Sequence, residues 1–333
     1  MKKIKFSLLS LLVVVMILSL TGLAAERLTA YVSLDEEVAR SLINEFQKET
    51  KIQVDWVRLS TGESVARIEA EKNNPQASIF LGGVGLNHIE AKNKGLTAPY
   101  VSPNAKNVPA QFKDKDNYWC GLYAGPLCFV YNLERLKELN LPAPKSWADL
   151  IKPIYKGHVQ MASPQSSGTS YNVITTMIYI FNHDEDLAFN YLKELNKNIN
   201  QYTKSGSAPG RAAAIGETPI ALGYSHDQVK LIDQGYPLEI AFPSEGTGYE
   251  VASMSLVKGG PQMKTAQKLY DWVLSEKAGK ILASYYLAVF ADVPLKKGAK
   301  PLTEVKVVDQ DDVWGGANKE RLIDRWQNEV YGK

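Results

Sequence analysis

The sequence predicts an α/β fold in which mainly parallel sheets are flanked by helices and the chain forms two lobes. Short apolar runs typical of strands alternate with segments that repeat apolar residues at helical spacing. The 333 residues are enough for two domains of roughly 150 residues each. No low-complexity segment separates them, so ordered strands are expected to join the lobes.

The composition is that of an ordinary globular protein, with 45% apolar and 22% charged residues. The 38 basic residues nearly balance 36 acidic ones, and no run of Lys and Arg forms a basic patch. We therefore expect no nucleic-acid partner. Disordered, collagen-like and polytopic membrane proteins are excluded on the same grounds.

Residues 1–24 have the organisation of a secretory signal peptide. Lys2, Lys3 and Lys5 precede an apolar stretch that ends in small residues near Ala24, where cleavage is expected. The mature chain would then be nearly neutral and would lie in the periplasm or outside the cell envelope. An uncleaved anchor is the alternative, because the stretch approaches the roughly 18 to 20 apolar residues that span a bilayer.

The N-terminal part of the mature chain predicts a β-α-β-α-β unit. Strands are expected at Arg27–Val32, Gln53–Arg58 and Ala77–Leu81, with helices over 35–48 and 60–72 between them. Strands joined by helices pair in parallel, so the unit predicts a parallel sheet.

Cys120 and Cys128 are the only cysteines in the sequence. The segment from Cys120 to Tyr131 is predicted to be a hairpin turning near Ala124 and Gly125, which would place the two thiols on opposite faces. We expect two buried thiols rather than a disulfide, although export permits one. No Cys-x-x-Cys pair and no His-Glu-x-x-His helix is present, so neither a metal nor a cofactor is expected.

Three predicted helix starts are rich in Ser, Thr and Gly, and two of them directly follow strands. Ligands of open α/β sheets bind at the carboxyl ends of the strands, and helix N-termini attract phosphates and carboxylates. Simple helix capping is the alternative for any one of these segments. Together they indicate an anion site. Its candidate residues are Ser60, Thr61, Gly62, Ser167, Gly168, Thr169 and Ser205.

Two further segments are candidates for ligand contact. Gly83 lies in a glycine-rich segment after the third strand, which predicts either a wall touching a ligand or a structural turn. His226 and Asp227 follow the buried strand Ile220–Tyr224 and can hydrogen-bond several hydroxyls of one polar ligand. Capping of the next helix is the alternative for Asp227. A catalytic triad with Ser225 is disfavoured, because consecutive residues seldom reach triad geometry.

Seven segments spread along the mature chain carry a resemblance to a known family. They are residues 80–83, 125–132, 142–150, 155–157, 163–169, 243–248 and 271–275. They resemble the bacterial solute-binding proteins of ABC importers, in the branch of ferric-ion, thiamine, phosphonate and hexose-phosphate binders. The resemblance is strongest to the hexose-phosphate binders.

The resemblance implies a type II periplasmic-binding-protein fold, in which two α/β lobes joined by hinge strands close on a ligand. Lobe one would comprise residues 25–123 and 248–310, and lobe two residues 124–247. A C-terminal helix within 311–333 would pack on either lobe. The implied protein is a monomer that captures a solute for an inner-membrane ABC permease and is not an enzyme.

The resemblance also implies a small anionic phosphorylated ligand, with a hexose phosphate favoured. Ser33 would join the hydroxyl-rich helix starts in receiving the phosphate, and His226, Asp227 and Glu245 would bind sugar hydroxyls. A phosphonate is the close alternative, with Asp227 or Glu245 pairing its amine. A hydrolase using His226 and Asp227 is the alternative of another class.

Ferric iron and thiamine are less favoured by the same resemblance. Ferric binders of this branch hold the ion with adjacent tyrosines, whose positions correspond to His226 and Asp227 here. Thiamine stays open, because Tyr224 and Trp119 could stack on its rings.

Overall fold

The computed structural model describes residues 26–289, 299–300 and 302–331. Within these residues, eleven strands form one continuous hydrogen-bonded sheet. The two ends of the sheet carry separate hydrophobic cores, and helices cover the faces of both. The predicted α/β class, with two lobes joined by strands, is confirmed.

Lobe one is built on three parallel strands. β1 (Arg27–Val32) lies between β2 (Gln53–Arg58) and β3 (Ile79–Val84). The crossovers are α1 (Glu36–Thr50) and α2 (Thr61–Ala70), whose apolar residues recur at helical spacing and are buried. The three strands and two helices expected in this part of the chain are all present.

The chain leaves lobe one along a single long strand. After α3 (Gly85–Asn93) and the short β4 (Thr97–Ala98), β5 (Cys120–Asn132) runs for 13 residues without a turn. The predicted hairpin is therefore wrong. Gly125 marks a close approach rather than a turn, because a Cβ at this position would lie 2.3 Å from Nδ1 of His226.

Lobe two follows and adds a second set of parallel strands to the same sheet. Its elements in chain order are α4 (Leu133–Glu138), α5 (Trp147–Leu150), β6 (Val159–Ala162), α6 (Gly168–Ile180), α7 (Glu185–Asn196), β7 (Ile199–Thr203), α8 (Ala208–Ala214), β8 (Ile220–Tyr224), α9 (Ser225–Asp233) and β9 (Leu238–Ala241). β6 lies between β7 and β8, and all three strands run parallel. The helices α6, α8 and α9 therefore start at the carboxyl ends of the strands.

The chain then returns to lobe one. The remaining elements are β10 (Tyr249–Val257), α10 (Met263–Val273), α11 (Glu276–Ala283), β11 (Leu287–Ala288) and α12 (Asp312–Trp326). β10 pairs with β3 and with the first half of β5, whereas the second half of β5 pairs with β8 and β9. The change of partner falls between Pro126 and Leu127, so β5 passes through both lobes. The lobe boundaries expected after residues 123 and 247 stay a prediction.

The C-terminal helix α12 contacts elements on both sides of this crossing. Leu322 and Trp326 lie in the core of lobe two. Gly315 and Gly316 lie against α3, where a Cβ on Gly316 would be 2.6 Å from the side chain of Ile89. The helix thus links α3 to the core of lobe two.

The described helices include none that is both long and apolar enough to cross a bilayer. The predicted signal segment, residues 1–24, lies outside the described residues. Its cleavage stays a prediction.

Both cysteines are free and buried, as expected. They lie eight residues apart on the extended strand β5, which separates them by about 26 Å at roughly 3.3 Å per residue. A disulfide needs Cα atoms within about 7 Å, so the two thiols cannot bridge. Burial raises the pKa of the Cys120 thiol to about 12.

We expect neither thiol of the folded protein to react with iodoacetamide at mildly alkaline pH, because burial keeps Cys120 and Cys128 protonated and inaccessible. Intact-mass spectrometry should find no added carbamidomethyl group on the native protein and two after unfolding in guanidinium. An addition to the native protein would contradict the buried placement.

Candidate ligand-binding site

A cavity lies between the two lobes, at the carboxyl ends of the parallel strands. Lobe one lines it with Ser33, Asp35, Arg58, Ser60, Thr61, Gly83, Val84, Tyr123, Glu250 and Tyr286. Lobe two lines it with Ser167, Thr169, Gly206, Ser207, Tyr224, His226 and Asp227. Both lobes therefore supply polar side chains to one space between them.

One end of the cavity is rich in hydroxyl groups and helix N-termini. α2 begins after Ser60 and α6 begins after Ser167, whose side chain caps no N–H of its own helix. The first N–H groups of a helix lack partners within it, and together with the helix dipole they favour an anion. Ser33, Thr61 and Thr169 add further hydroxyl donors. This end has the chemistry of an oxyanion site.

Arg58 brings a positive charge to the same end. Its Nε donates to the backbone oxygen of Leu34 at 3.3 Å, and its Nη2 donates to the hydroxyl of Ser205 at 3.1 Å. Both partners are neutral, so neither compensates the guanidinium charge. An anion in the cavity would meet a cation that these contacts leave available.

Two glycines keep this end open. Gly83 has a φ of 85°, and a Cβ there would lie 2.6 Å from the hydroxyl of Thr61. A Cβ on Gly206 would lie 2.1 Å from the hydroxyl of Thr169. Both hydroxyls reach the cavity because the glycines carry no side chain. Gly83 thus continues strand β3 and forms part of the cavity wall.

The other end of the cavity is acidic. Nε2 of His226 lies 3.1 Å from Oε1 of Glu250 and 3.9 Å from Oδ1 of Asp227. Burial raises the pKa of Asp227 and of Glu250. Burial opposes protonation of His226, but the two carboxylates outweigh it and raise the imidazole pKa. The carboxylate of Asp227 has no hydrogen-bond partner within 3.5 Å among the described residues, so its oxygens are free to accept from a ligand.

Three tyrosines surround His226. Tyr224 stacks on the imidazole at 5.6 Å between ring centres, whereas Tyr123 and Tyr286 meet it edge-on at 5.2 and 4.8 Å. Burial raises the pKa of all three phenols well above its usual value, so they stay neutral. They place flat, uncharged surfaces beside the acids.

The two lobes touch each other at the rim of the hydroxyl-rich end. The N–H of Gly62 donates across the cleft to the backbone oxygen of Ser166 at 3.1 Å. Glu63 in lobe one pairs with Lys204 in lobe two at 2.7 Å. These contacts are those of a closed cleft.

Eight of the twelve predicted site residues line the cavity, namely Ser33, Ser60, Thr61, Gly83, Ser167, Thr169, His226 and Asp227. Gly62, Gly168 and Ser205 lie beside it. Gly62 and Ser205 make the interlobe contacts described above, and Gly168 is the first residue of α6. Contact of these residues with a ligand stays a prediction.

The expected placement of Glu245 in the cleft is corrected by the structure. Its carboxylate accepts from the N–H groups of Trp147 and Ala148 at 3.1 and 3.0 Å, and so stabilises the start of α5. Glu250, five residues further along the chain, supplies the carboxylate beside His226.

Sequence reasoning missed Arg58, Glu250, Tyr123 and Tyr286 as cavity residues. Arg58 could have been found, because it ends β2 two residues before Ser60. The other three come from β5, β10 and the segment after α11, where no local pattern marks them. Only the tertiary fold brings them together.

Comparison with known proteins finds relatives along most of the chain. Residues 87–314 match the family described as bacterial extracellular solute-binding protein. An uncharacterised protein of Haemophilus influenzae is 36% identical over 319 residues, which cover 92% of this chain and 91% of that protein.

Two solved structures are similar over nearly their whole length. The periplasmic binding protein AfuA of Actinobacillus pleuropneumoniae, with exogenous fructose-6-phosphate bound, matches with a TM-score of 0.88 at 36% identity. The periplasmic binding protein P5PA matches with a TM-score of 0.86 at 31% identity. Each match covers 92% of this chain and 99% of the other.

The fold and the cavity define a protein that encloses a ligand between two lobes. The family match identifies it further, and the chain belongs to the bacterial extracellular solute-binding proteins. Members of this family bind small solutes and work with ABC permeases rather than as enzymes. The predicted membership, nearest to the hexose-phosphate binders, is confirmed.

We expect Gly83→Ala to destabilise the fold and deform the cavity, because the new Cβ combines a positive φ with an overlap on Thr61. The matched control is Gly95→Ala, whose φ is 67° but whose Cβ meets open space. The control carries only the backbone cost of about 1–2 kcal/mol. Thermal unfolding compares the stability of the two variants. If Gly83→Ala lost no more stability than Gly95→Ala, the predicted overlap with Thr61 would be contradicted.

Proposed function

We propose that the protein captures a hexose phosphate outside the cytoplasm and delivers it unchanged to an inner-membrane ABC permease. One observation carries the proposal: a single cavity has a hydroxyl-rich, cationic end and an acidic, aromatic end. A sugar phosphate combines the two matching parts in one small molecule. The fructose-6-phosphate bound to the similar protein AfuA supports the same choice.

The phosphate is assigned to the hydroxyl-rich end. Micromolar binding requires about 8 kcal/mol. A helix start contributes about 0.3 to 2 kcal/mol toward an anion, and a charge-assisted hydrogen bond adds roughly 1.5 to 3 kcal/mol. No single one of these contributions reaches micromolar affinity. Together, the starts of α2 and α6, the Arg58 guanidinium and the nearby hydroxyls are enough. Several elements must therefore converge on one group.

The sugar is assigned to the acidic end. Asp227 and Glu250 accept hydrogen bonds from hydroxyl groups, and His226 adds a ring nitrogen to the same cluster. Tyr123 and Tyr224 offer flat surfaces against which the apolar face of a sugar ring can pack. The site thus distinguishes sugars by the positions of their hydroxyl groups, using side chains from both lobes.

An aminoalkylphosphonate is the second candidate. Its phosphonate would occupy the same oxyanion site, and its amine would pair with the carboxylates beside His226. The favouring observation is that two buried carboxylates, those of Asp227 and Glu250, stand against one imidazole. The imidazole can compensate the charge of one carboxylate, and the amine of the ligand would compensate the charge of the other.

Ferric iron and thiamine fit the cavity less well. Among the described residues, no group of three or more His, Cys, Asp or Glu is arranged to hold a metal ion. The phenols in the cavity keep their protons, because burial raises their pKa. Trp119, expected to stack on thiamine with Tyr224, does not line the cavity.

The proposed role is capture rather than hydrolysis. Ser225 is buried in the first turn of α9 and does not line the cavity, so it cannot serve His226 and Asp227 as a nucleophile toward a bound ligand. A ligand that contacts both lobes binds the closed state better than the open one. Ligand binding therefore shifts the population toward closure.

Isothermal titration calorimetry tests the proposal. The purified mature protein is titrated separately with glucose 6-phosphate, fructose 6-phosphate, 2-aminoethylphosphonate, thiamine and ferric citrate. We expect micromolar or tighter binding of a hexose phosphate and no release of inorganic phosphate on incubation. Tight binding of the phosphonate alone would transfer the assignment to the second candidate, and phosphate release would contradict a pure binding role.

We expect Asp227→Ala to lower the affinity for hexose phosphate by roughly 10- to 100-fold, because one or more hydrogen bonds to a charged acceptor are lost. The melting temperature should change little, since the nearest charged partner of the Asp227 carboxylate, His226, lies 3.9 Å away, beyond hydrogen-bond distance. The matched control is Asp186→Ala, an exposed position on α7. Unchanged affinity in calorimetry would remove Asp227 from the site.

A further inference from the structure

Ion pairs join the two lobes at the mouth of the cavity. Asp35, at the start of α1 in lobe one, pairs with Lys230 at 3.1 Å and with Arg211 at 3.3 Å. Lys230 also pairs with Glu37 at 2.5 Å. Lys230 and Arg211 lie on α9 and α8 of lobe two, so these pairs require a closed cleft.

The pair of Asp35 and Lys230 is shielded from water. Both side chains are 16% exposed, whereas Lys204 in the interlobe pair with Glu63 is 83% exposed. Exposed ion pairs contribute little, and shielding strengthens a pair of good geometry. Burial opposes ionisation of Asp35, but Lys230 and Arg211 outweigh it and lower its pKa. The bridging charges are therefore present at neutral pH.

Asp35 is part of the wall between the cavity and the outside. Asp35, Arg58, Ser207 and Asp227 line both the cavity and an open basin of about 840 Å³ at its mouth. Lys230 lines only the basin, so it holds Asp35 from the outer side without reaching the cavity. Loss of this pair would loosen the wall that retains a ligand.

We propose that Lys230 is a positioning residue that latches the closed cleft by holding Asp35 and Glu37 across it, and that it thereby sets the rate of ligand release. The choice of probe ligand rests on the proposed function, whereas the latch concerns the lobes themselves. Ligand enters the open cleft, in which the latch is not formed. Association is therefore nearly independent of Lys230, and dissociation depends on it.

Stopped-flow measurement of glucose 6-phosphate binding and release tests the latch. Lys230→Met should release the ligand about tenfold faster, equivalent to about 1.4 kcal/mol, with nearly unchanged association. Lys230→Arg keeps the charge and should restore slow release. The matched control is Lys94→Met, which removes ion pairs to Glu69 and Glu90 within lobe one and should leave the release rate at the wild-type value.

A second variant separates a latch from simple repulsion between Asp35 and the phosphate. Asp35→Asn is added to Lys230→Met, which removes that repulsion but also the bridge. The latch predicts that the double variant still releases ligand fast. Return to slow release would overturn the proposal, because Lys230 would then only neutralise Asp35. An unchanged rate in Lys230→Met would overturn it as well.

A ligand-free measurement keeps the latch independent of the chosen ligand. Lys48→Cys and Ile215→Cys place spin labels at exposed positions of the two lobes, while the native thiols stay buried. Lys230→Met should lengthen the label distances, whereas Lys230→Arg should leave them at the wild-type values. If glucose 6-phosphate fails to bind the wild type, the proposed function fails. The label distances then still show whether Lys230 holds the two lobes together. Identical distributions in the wild type and in Lys230→Met would then overturn the latch.

Discussion

The architecture depends on the unbroken passage of β5 from one lobe into the other. Its hydrogen-bond partners change from β10 to β8 between Pro126 and Leu127, so the lobes share one sheet rather than a loose tether. The carboxyl ends of the parallel strands of both lobes then face the same cavity. Gly125 permits this passage, because the ring of His226 lies where a side chain would be.

The shared gap also explains the division of chemistry within the cavity. Each end draws on both lobes: Arg58 and Thr61 of lobe one meet Ser167 and Thr169 of lobe two at the hydroxyl-rich end, and Glu250 of lobe one meets His226 and Asp227 of lobe two at the acidic end. Neither half encloses a solute alone. A polar ligand is desolvated only when both halves meet, which ties recognition to movement of the lobes.

Local patterns made much of the fold and part of the site predictable from the sequence. Strands β1 and β2 follow apolar runs, and the hydroxyl clusters at Ser60 and Ser167 do start helices. Other features depend on distant parts of the chain. Glu245 and Glu250 lie five residues apart with no pattern to distinguish them, yet one stabilises a helix start and the other meets His226. Gly125 suggested a turn because nothing in the local sequence indicates its packing partner. That partner, His226, lies about a hundred residues further along the chain.

The contact between α12 and α3 has a consequence for how the lobes can move. Gly315 and Gly316 let α12 approach α3 closely, and the side chains of Leu86 and Ile89 fill the space that a larger residue would need. The buried pair of Lys319 with Glu90, at 2.6 Å, pins one point of this contact. A contact this close resists sliding of α12 along α3, so we expect relative movement of the lobes to pivot at this contact rather than to shear across it.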